Sequence, residues 1–333
     1  MNNKLINKDI IALQLPTGIG ADIGGYAGDF GHIAIEFSKY FHVIINPNAV
    51  NGGILSAINY DMSYLEGYLF DEFFKGNIGI IPKIPYETNK IGVIFDSEIP
   101  EDILNVHINT INALKMVQGI KTIATEKTRK NIGIEIKIDK GISFGNIKNP
   151  DELLYSAQKL ISKGAEAIAV VCYFKDDIED VNYENGQGID PIGGLEAVIS
   201  HMITKEFNIP CAHSPAFSDI DISTKIENPK VSSELISSTY LPCIMQGLSI
   251  APKITTKYEE NAIYNKNVKY LITLYDAIGS SSVLSCKKSN TKLIAVKNKS
   301  VLDVTPEKLN IDKIDIYETY EECLKTIIKN EYK

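Results

Sequence analysis

Short apolar runs closed by turn residues alternate along the chain with stretches whose apolar positions recur at helical spacing. No internal repeat, heptad or low-complexity linker interrupts the rhythm. Residues 10–15, 43–45 and 91–95 are compact apolar runs bounded by breakers and are predicted strands. The segments that follow two of them, 30–41 and 101–117, read as helices, the second started by Pro100. Further on, Pro150-Asp151-Glu152 opens a helix over 150–162, Gly164 closes it, and 165–171 is a buried-looking strand. Helix 194–206 then leads to strand 209–212, and strand 270–274, helix 281–288 and strand 293–296 repeat the unit. Strand 314–317 and helix 320–329 close the chain.

Parallel strands joined by helices need right-handed crossovers and two covered faces. The expected fold class is therefore α/β, with a Rossmann-like open, mostly parallel sheet, a closed barrel being the second choice. Residues 121–146, where Ile132, Ile134, Ile136 and Ile138 alternate, are expected to form a hairpin or a sheet edge. Two closely packed lobes are expected, 1–148 with a glycine-rich loop and 149–333 with a Cys/His segment.

Composition narrows this picture. The 333 residues, 44% apolar and 23% charged, are ordinary globular usage. No run approaches the ~18 apolar residues of a spanning helix, and the first residues are too polar for a signal peptide, so a cytoplasmic location is expected. The net charge is −8, and Arg129 is the single arginine among 34 cationic side chains, which leaves no arginine cluster to read bases. Nucleic acid is not an expected partner. The five cysteines are odd in number and lack both CxxC pairing and metal-ligand spacing, so free thiols and no metal are expected.

Six of the 23 glycines fall between Pro16 and His32, too many for one tight turn. A loop between a first strand and a helix presents backbone NH groups, which makes Thr17, Gly18, Gly20, Gly24 and Gly25 candidates for holding a carboxylate or phosphate. The spacing does not cleanly match the dinucleotide fingerprint, and it lacks the Gly-Lys-Ser/Thr ending of a P-loop. Asp22 and Asp29 add negative charge suited to an ammonium or hydroxyl, and a purely structural loop is the competing reading. Asn48 and Asn51 lie in a second polar loop after 43–45, at a sheet edge where such folds place ligands. Asp190, before Pro191 and between glycine pairs, marks a third loop, whereas the run Asp176, Asp177, Glu179, Asp180 reads as solvated surface. Ser280, Ser281 and Ser282 open a helix, and a cap explains one of these hydroxyls but not three.

Two segments share an apolar-Pro-Cys start, Ile209-Pro210-Cys211-Ala212-His213 and Leu241-Pro242-Cys243, each read as a thiol at a strand end. Cys211 and His213 lie two apart, so on a strand they share a side, and a thiol beside an imidazole is the pair that makes thiolate. The bland alternative is that both thiols simply pack.

Over most of its length the chain resembles an uncharacterised domain-of-unknown-function family common in cyanobacteria. The likeness rests on Leu15-Pro16-Thr17-Gly18-Ile19-Gly20 with Gly24-Gly25-Tyr26-Ala27-Gly28-Asp29, on Gly186-Gln187-Gly188-Ile189-Asp190-Pro191, on Ile209-Pro210-Cys211-Ala212-His213, and on Leu241-Pro242-Cys243. That family carries a Cys-Gly-Gly-like turn where this chain has Ile278-Gly279-Ser280-Ser281, so binding there is expected to differ. The resemblance supplies loops and no reaction.

The function expected from the residues is a small-metabolite enzyme acting on a carboxylate-bearing amino or hydroxy acid. The reaction would be a cofactor-independent isomerase, racemase or lyase step in which Cys211 or His213 takes a proton and Cys243 returns it. A hydrolytic variant makes Cys211 the nucleophile, and Asp29 and Asp190 stand next as candidates. The alternatives are a nucleotide-dependent transferase using the glycine loop for phosphate and a non-catalytic metabolite-binding protein. A small molecule, without a membrane, is the expected partner, and a homodimer the default assembly.

Overall fold

A computed structural model describes residues 7–15, 30–46, 55–139, 142–174, 190–218, 226, 239–286, 289–298, 300 and 302–332. The strands are β1 (Ile10–Gln14), β2 (His42–Asn46), β3 (Met62–Tyr64), β4 (Gly79–Ile81), β5 (Ile91–Phe95), β6 (Thr122–Lys127) and β7 (Ile134–Asp139). They continue as β8 (Ile142–Ile147), β9 (Ala167–Tyr173), β10 (Cys211–Ala216), β11 (Lys253–Thr255), β12 (Val268–Leu274), β13 (Lys292–Val296) and β14 (Asp315–Tyr317). The helices used below are α1 (Gly31–Ser38), α2 (Gly67–Lys75), α3 (Glu101–Gln118), α4 (Pro150–Ser162), α5 (Gly193–Phe207), α6 (Leu241–Ile250), α7 (Ser281–Cys286) and α8 (Tyr320–Glu331).

The fold is α/β, Rossmann-like and open. One parallel sheet has the order β14-β13-β12-β1-β2-β3, and a second has the order β10-β9-β5-β6. The expected hairpin is the antiparallel pair β7–β8, while β6 pairs in parallel at the edge of the second sheet. Both sheets draw strands from either side of residue 148, so sheet membership does not follow the division 1–148 and 149–333: β12–β14 complete the sheet that β1–β3 begin.

Strands buried on both faces read as unbroken apolar runs, which is why β2 and β5 are buried throughout. In β1 the alternation assigns Ile11 and Leu13 to a core shared with α1 and α8, and Ala12 to a core shared with α2 and α7. α1 carries the chain from β1 to β2, whereas α7 carries it from β12 to β13 in the opposite direction along the sheet. Right-handed crossovers running in opposite directions must lie on opposite faces, as these two helices do. Counted within this sheet the strand order is 3-2-1-4-5-6, and the direction reverses between β1 and β12. The second sheet is also covered on both faces, by α3 and α6 on one and α4 and α5 on the other. Its direction reverses between β5 and β9.

The two sheets meet where β3 faces β10. Tyr64 of β3 donates its buried hydroxyl to the carbonyl of Cys211 at 2.9 Å. One expectation is corrected: Leu241-Pro242-Cys243 begins helix α6 and is not a strand end. Proline fits the first turn of a helix as well as a strand entrance, because the NH it lacks is unpaired there in any case. By contrast Pro215 does sit in a strand, β10, tolerated because β10 is a sheet edge.

Candidate functional site

In open α/β sheets ligands bind outside the carboxyl ends of the strands where the order reverses. At that place in the six-stranded sheet lies a cavity of about 310 Å³ whose lining includes Gln14 and Thr273, at the ends of β1 and β12, together with Ala277, Ser280, Leu302 and Val304. The turn that leads from β12 to α7 is fixed to a second segment. Val304 donates its amide to Asp276 O at 2.7 Å and accepts from the Ile278 amide at 3.1 Å, and the Asp276 Oδ2 accepts from the Ser300 amide at 2.7 Å.

Gln14 is the one polar residue at the end of an apolar strand, and its Oε1 accepts from the hydroxyls of Ser280 at 3.1 Å and Ser282 at 3.0 Å. Ser280 also accepts from the Val283 amide at 3.3 Å, which is its capping role. Ser282 is fully buried, and its amide donates to Asp71 Oδ1 of α2 at 2.9 Å. Ser281 offers its carbonyl to Ser285 within α7. The three serines thus divide between cap, cluster and helix.

Asp71 joins α2 to the start of α7. Burial pushes its carboxyl above the usual aspartate value, although bonds from Ser282 and the charges of Lys75 and His201 pull the other way. His201 of α5 is raised for a different reason: its Nδ1 meets Glu66 Oε1 at 3.4 Å, and the charges of Glu66 and Asp71 add to that. Glu66, 3% exposed, precedes α2 and accepts from the Tyr68 amide at 2.7 Å and from Thr204 of α5 at 2.8 Å. On the same helix Ser200 meets His213 Nδ1 at 3.2 Å, and His213 Nε2 lies 3.6 Å from Glu196 Oε2. A polar track therefore runs from the reversal point of one sheet into the edge of the other.

The expected thiol chemistry meets a different arrangement. Cys211 and His213 do face the same side, toward α5, but each is occupied separately: the thiol lies against the Ala212 carbonyl and the imidazole against Ser200. Alternate residues of a strand are about 6.6 Å apart, so a shared side does not make a contact. Cys243 lies across the four-stranded sheet from both, on α6, with Ser56 as its hydrogen-bonding neighbour. All five cysteines are buried, and burial pushes Cys211 well above the ordinary thiol value and Cys243 above it, away from thiolate. Asp190 is buried at the start of α5, where its Oδ1 accepts from the amides of Ile192 at 3.0 Å and Gly193 at 3.1 Å. Those two bonds close the turn that leads into α5. Thr17, Gly18, Gly20, Gly24, Gly25, Asp29, Asn48 and Asn51 lie outside the described residues.

Of the residues gathered here, the sequence singles out the serines and His213 as site candidates, shows no diagnostic pattern at Glu66 and Asp71, and does not mark Gln14 or His201 as site residues. One signal was available. Glu196, Ser200 and Thr204 recur every fourth residue on a helix otherwise packed by Leu195, Ile199 and Ile203, which marks a buried polar stripe.

The chain is 36% identical over 307 residues, 90% of its length and 84% of the other's, to a Synechococcus protein named an uncharacterised lipoprotein. The lipoprotein name of that relative overturns the cytoplasmic expectation. Among the described residues no helix is long and apolar enough to cross a membrane. No solved structure matches the chain. Residues 10–331 match the family described as Protein of unknown function (DUF3326), and the chain belongs to that family, as its glycine-rich and Pro-Cys motifs led one to expect.

Proposed function

We propose that the cavity between β1 and β12 binds a small carboxylate-bearing metabolite and that the protein moves a proton on it, as an isomerase, racemase or lyase does. The observation that carries this reading is the Gln14–Ser280–Ser282–Asp71 cluster at the reversal point. The serine hydroxyls, released from Gln14, would donate to the substrate carboxylate. Asp71, its carboxyl pushed upward by burial, would act as the acid or base, with the charge of His201 acting on it. This moves the proton chemistry from Cys211 and Cys243, which burial disfavours as thiolates, to a carboxyl bonded to the start of α7, where Ser280 lines the cavity.

Calorimetry against a panel of amino and hydroxy acids tests the binding. Ser282→Ala should weaken it about tenfold, the loss of one charge-assisted hydrogen bond. Asp71→Asn should keep binding and lose turnover by roughly 100-fold or more. Equal affinity in wild type and Ser282→Ala would remove the cluster from the binding site. A second reading, a nucleotide-dependent transferase, is favoured by the 3-2-1-4-5-6 order, which dinucleotide-binding sheets share. Against it, β2 ends in Asn46 where a ribose-binding acid would stand. Tight binding of NAD or magnesium–ATP in the same experiment would favour it.

A further inference from the structure

On the face of the six-stranded sheet opposite Gln14, α1 and α8 leave between them a cavity of about 670 Å³. Its walls are apolar, with Ile33 and Phe37 from α1 and Leu324 and Ile328 from α8, over Val296 at the end of β13. The charges at its rim are matched among themselves: Lys297 pairs with Glu318 at 2.6 Å, Lys325 with Glu321, and Glu36 with Lys39 at 2.5 Å. A charged ligand head would have to displace one of these partners. Two residues lining the same cavity carry buried polar groups that are not matched. The hydroxyl of Tyr320, a residue 5% exposed, and the Nδ2 of Asn298 are buried without a hydrogen-bond partner. Folded proteins rarely leave such donors unsatisfied, and both lack an acceptor.

We infer that this groove binds a small apolar molecule carrying one neutral carbonyl, as in a ketone, ester or amide, whose oxygen accepts from Tyr320 and Asn298. A carbonyl oxygen has two lone pairs and can serve both donors. The volume suits a ligand of ordinary small-molecule size. The site lies on the other face of the sheet from the proposed cleft and does not depend on it.

Acetophenone and ethylbenzene have nearly the same shape and differ by the carbonyl, so together they test the idea. Each is titrated into the full-length protein labelled at its methyl groups, following the signals of Ile33, Leu324 and Ile328. Both probes are expected to move these signals, acetophenone binding roughly 3- to 10-fold more tightly, the worth of one net hydrogen bond. Tyr320→Phe should abolish that advantage, leave ethylbenzene unchanged and fold at least as stably, because it removes only an unpaired hydroxyl. Ile328→Glu, at a partly exposed position, should remove both ligands. The inference is overturned if neither probe moves these signals, if acetophenone binds no better than ethylbenzene, or if its advantage survives both Tyr320→Phe and Asn298→Ala.

Discussion

Asp71 and His42 are buried enough to titrate away from their ordinary values, and they act on stability with opposite signs. Burial raises the Asp71 carboxyl, so its contribution is complete below the unfolded aspartate value of ~3.9 and is lost as pH rises through the folded value. Asp71→Asn keeps an oxygen for the Ser282 amide and removes that loss. The variant should therefore gain stability relative to wild type as pH is raised from 3.5 to 6, read from urea midpoints. His42, 1% exposed and bonded to Ser63 at 2.9 Å, is pushed down to about 4 by burial. Its contribution is present above the unfolded value of ~6.5 and disappears as pH falls toward 4, a loss of about 3 kcal/mol. His42→Gln should flatten the profile over that interval. The thiols give a third outcome: iodoacetamide at pH 7 should modify Cys211 and Cys172 only on unfolding, since burial holds both protonated. Fast labelling of native Cys211 would restore the thiol mechanism. At this scale the sequence was legible where the reason is local, as with the cap at Ser280. Gln14 and Asp71 gave no motif because their partner, Ser282, lies more than 200 residues away.

Elements were more legible, because their periodicities are set by nearest neighbours along the chain. Strands 10–15 and 91–95 and helices 101–117 and 150–162 fall within a residue of β1, β5, α3 and α4. The start of α6 was misread because Pro242 fits either element. How closely two elements approach is also hidden from periodicity. Gly92 of β5 is an example: a Cβ there would lie 2.9 Å from the Leu160 Cβ of α4 and 3.1 Å from the Ala165 Cβ. The first neighbour is near the rigid backbone of a helix and cannot swing aside. Gly92→Ala should thus cost about 1–3 kcal/mol in urea unfolding, the range of overpacked cores. A change below a few tenths would mean that α4 is free to shift. Tyr64→Phe probes the contact between sheets, since it strands the buried Cys211 carbonyl; about 1–3 kcal/mol is the expected loss.

For the whole molecule, strand order is the property a single sequence hides most completely. β1 pairs with β12, whose register partner for Ile11 is Tyr270, and nothing in either run distinguishes that pairing from one with β5. The consequence is testable by cutting the chain. A fragment of residues 1–148 holds β1–β3 without β12–β14, and β5 and β6 without β9 and β10, so both of its sheets end at an unpaired central strand. Residues 149–333 hold the complementary strands. A fragment of residues 88–256 instead contains the whole four-stranded sheet with α3, α4, α5 and α6 on its two faces. Burial of apolar surface on both faces is what makes a parallel sheet stable, so completeness of a sheet should decide which fragments fold. In thermal unfolding, 88–256 should give a cooperative transition at a lower temperature than the full chain, having lost the Tyr64 bond and the α2–α5 contacts. Fragments 1–148 and 149–333 should each unfold without a transition and regain one when co-expressed. A cooperative transition from 1–148 alone would show that its strands pair in some other order, and the position of the β1–β12 cavity would fall with it.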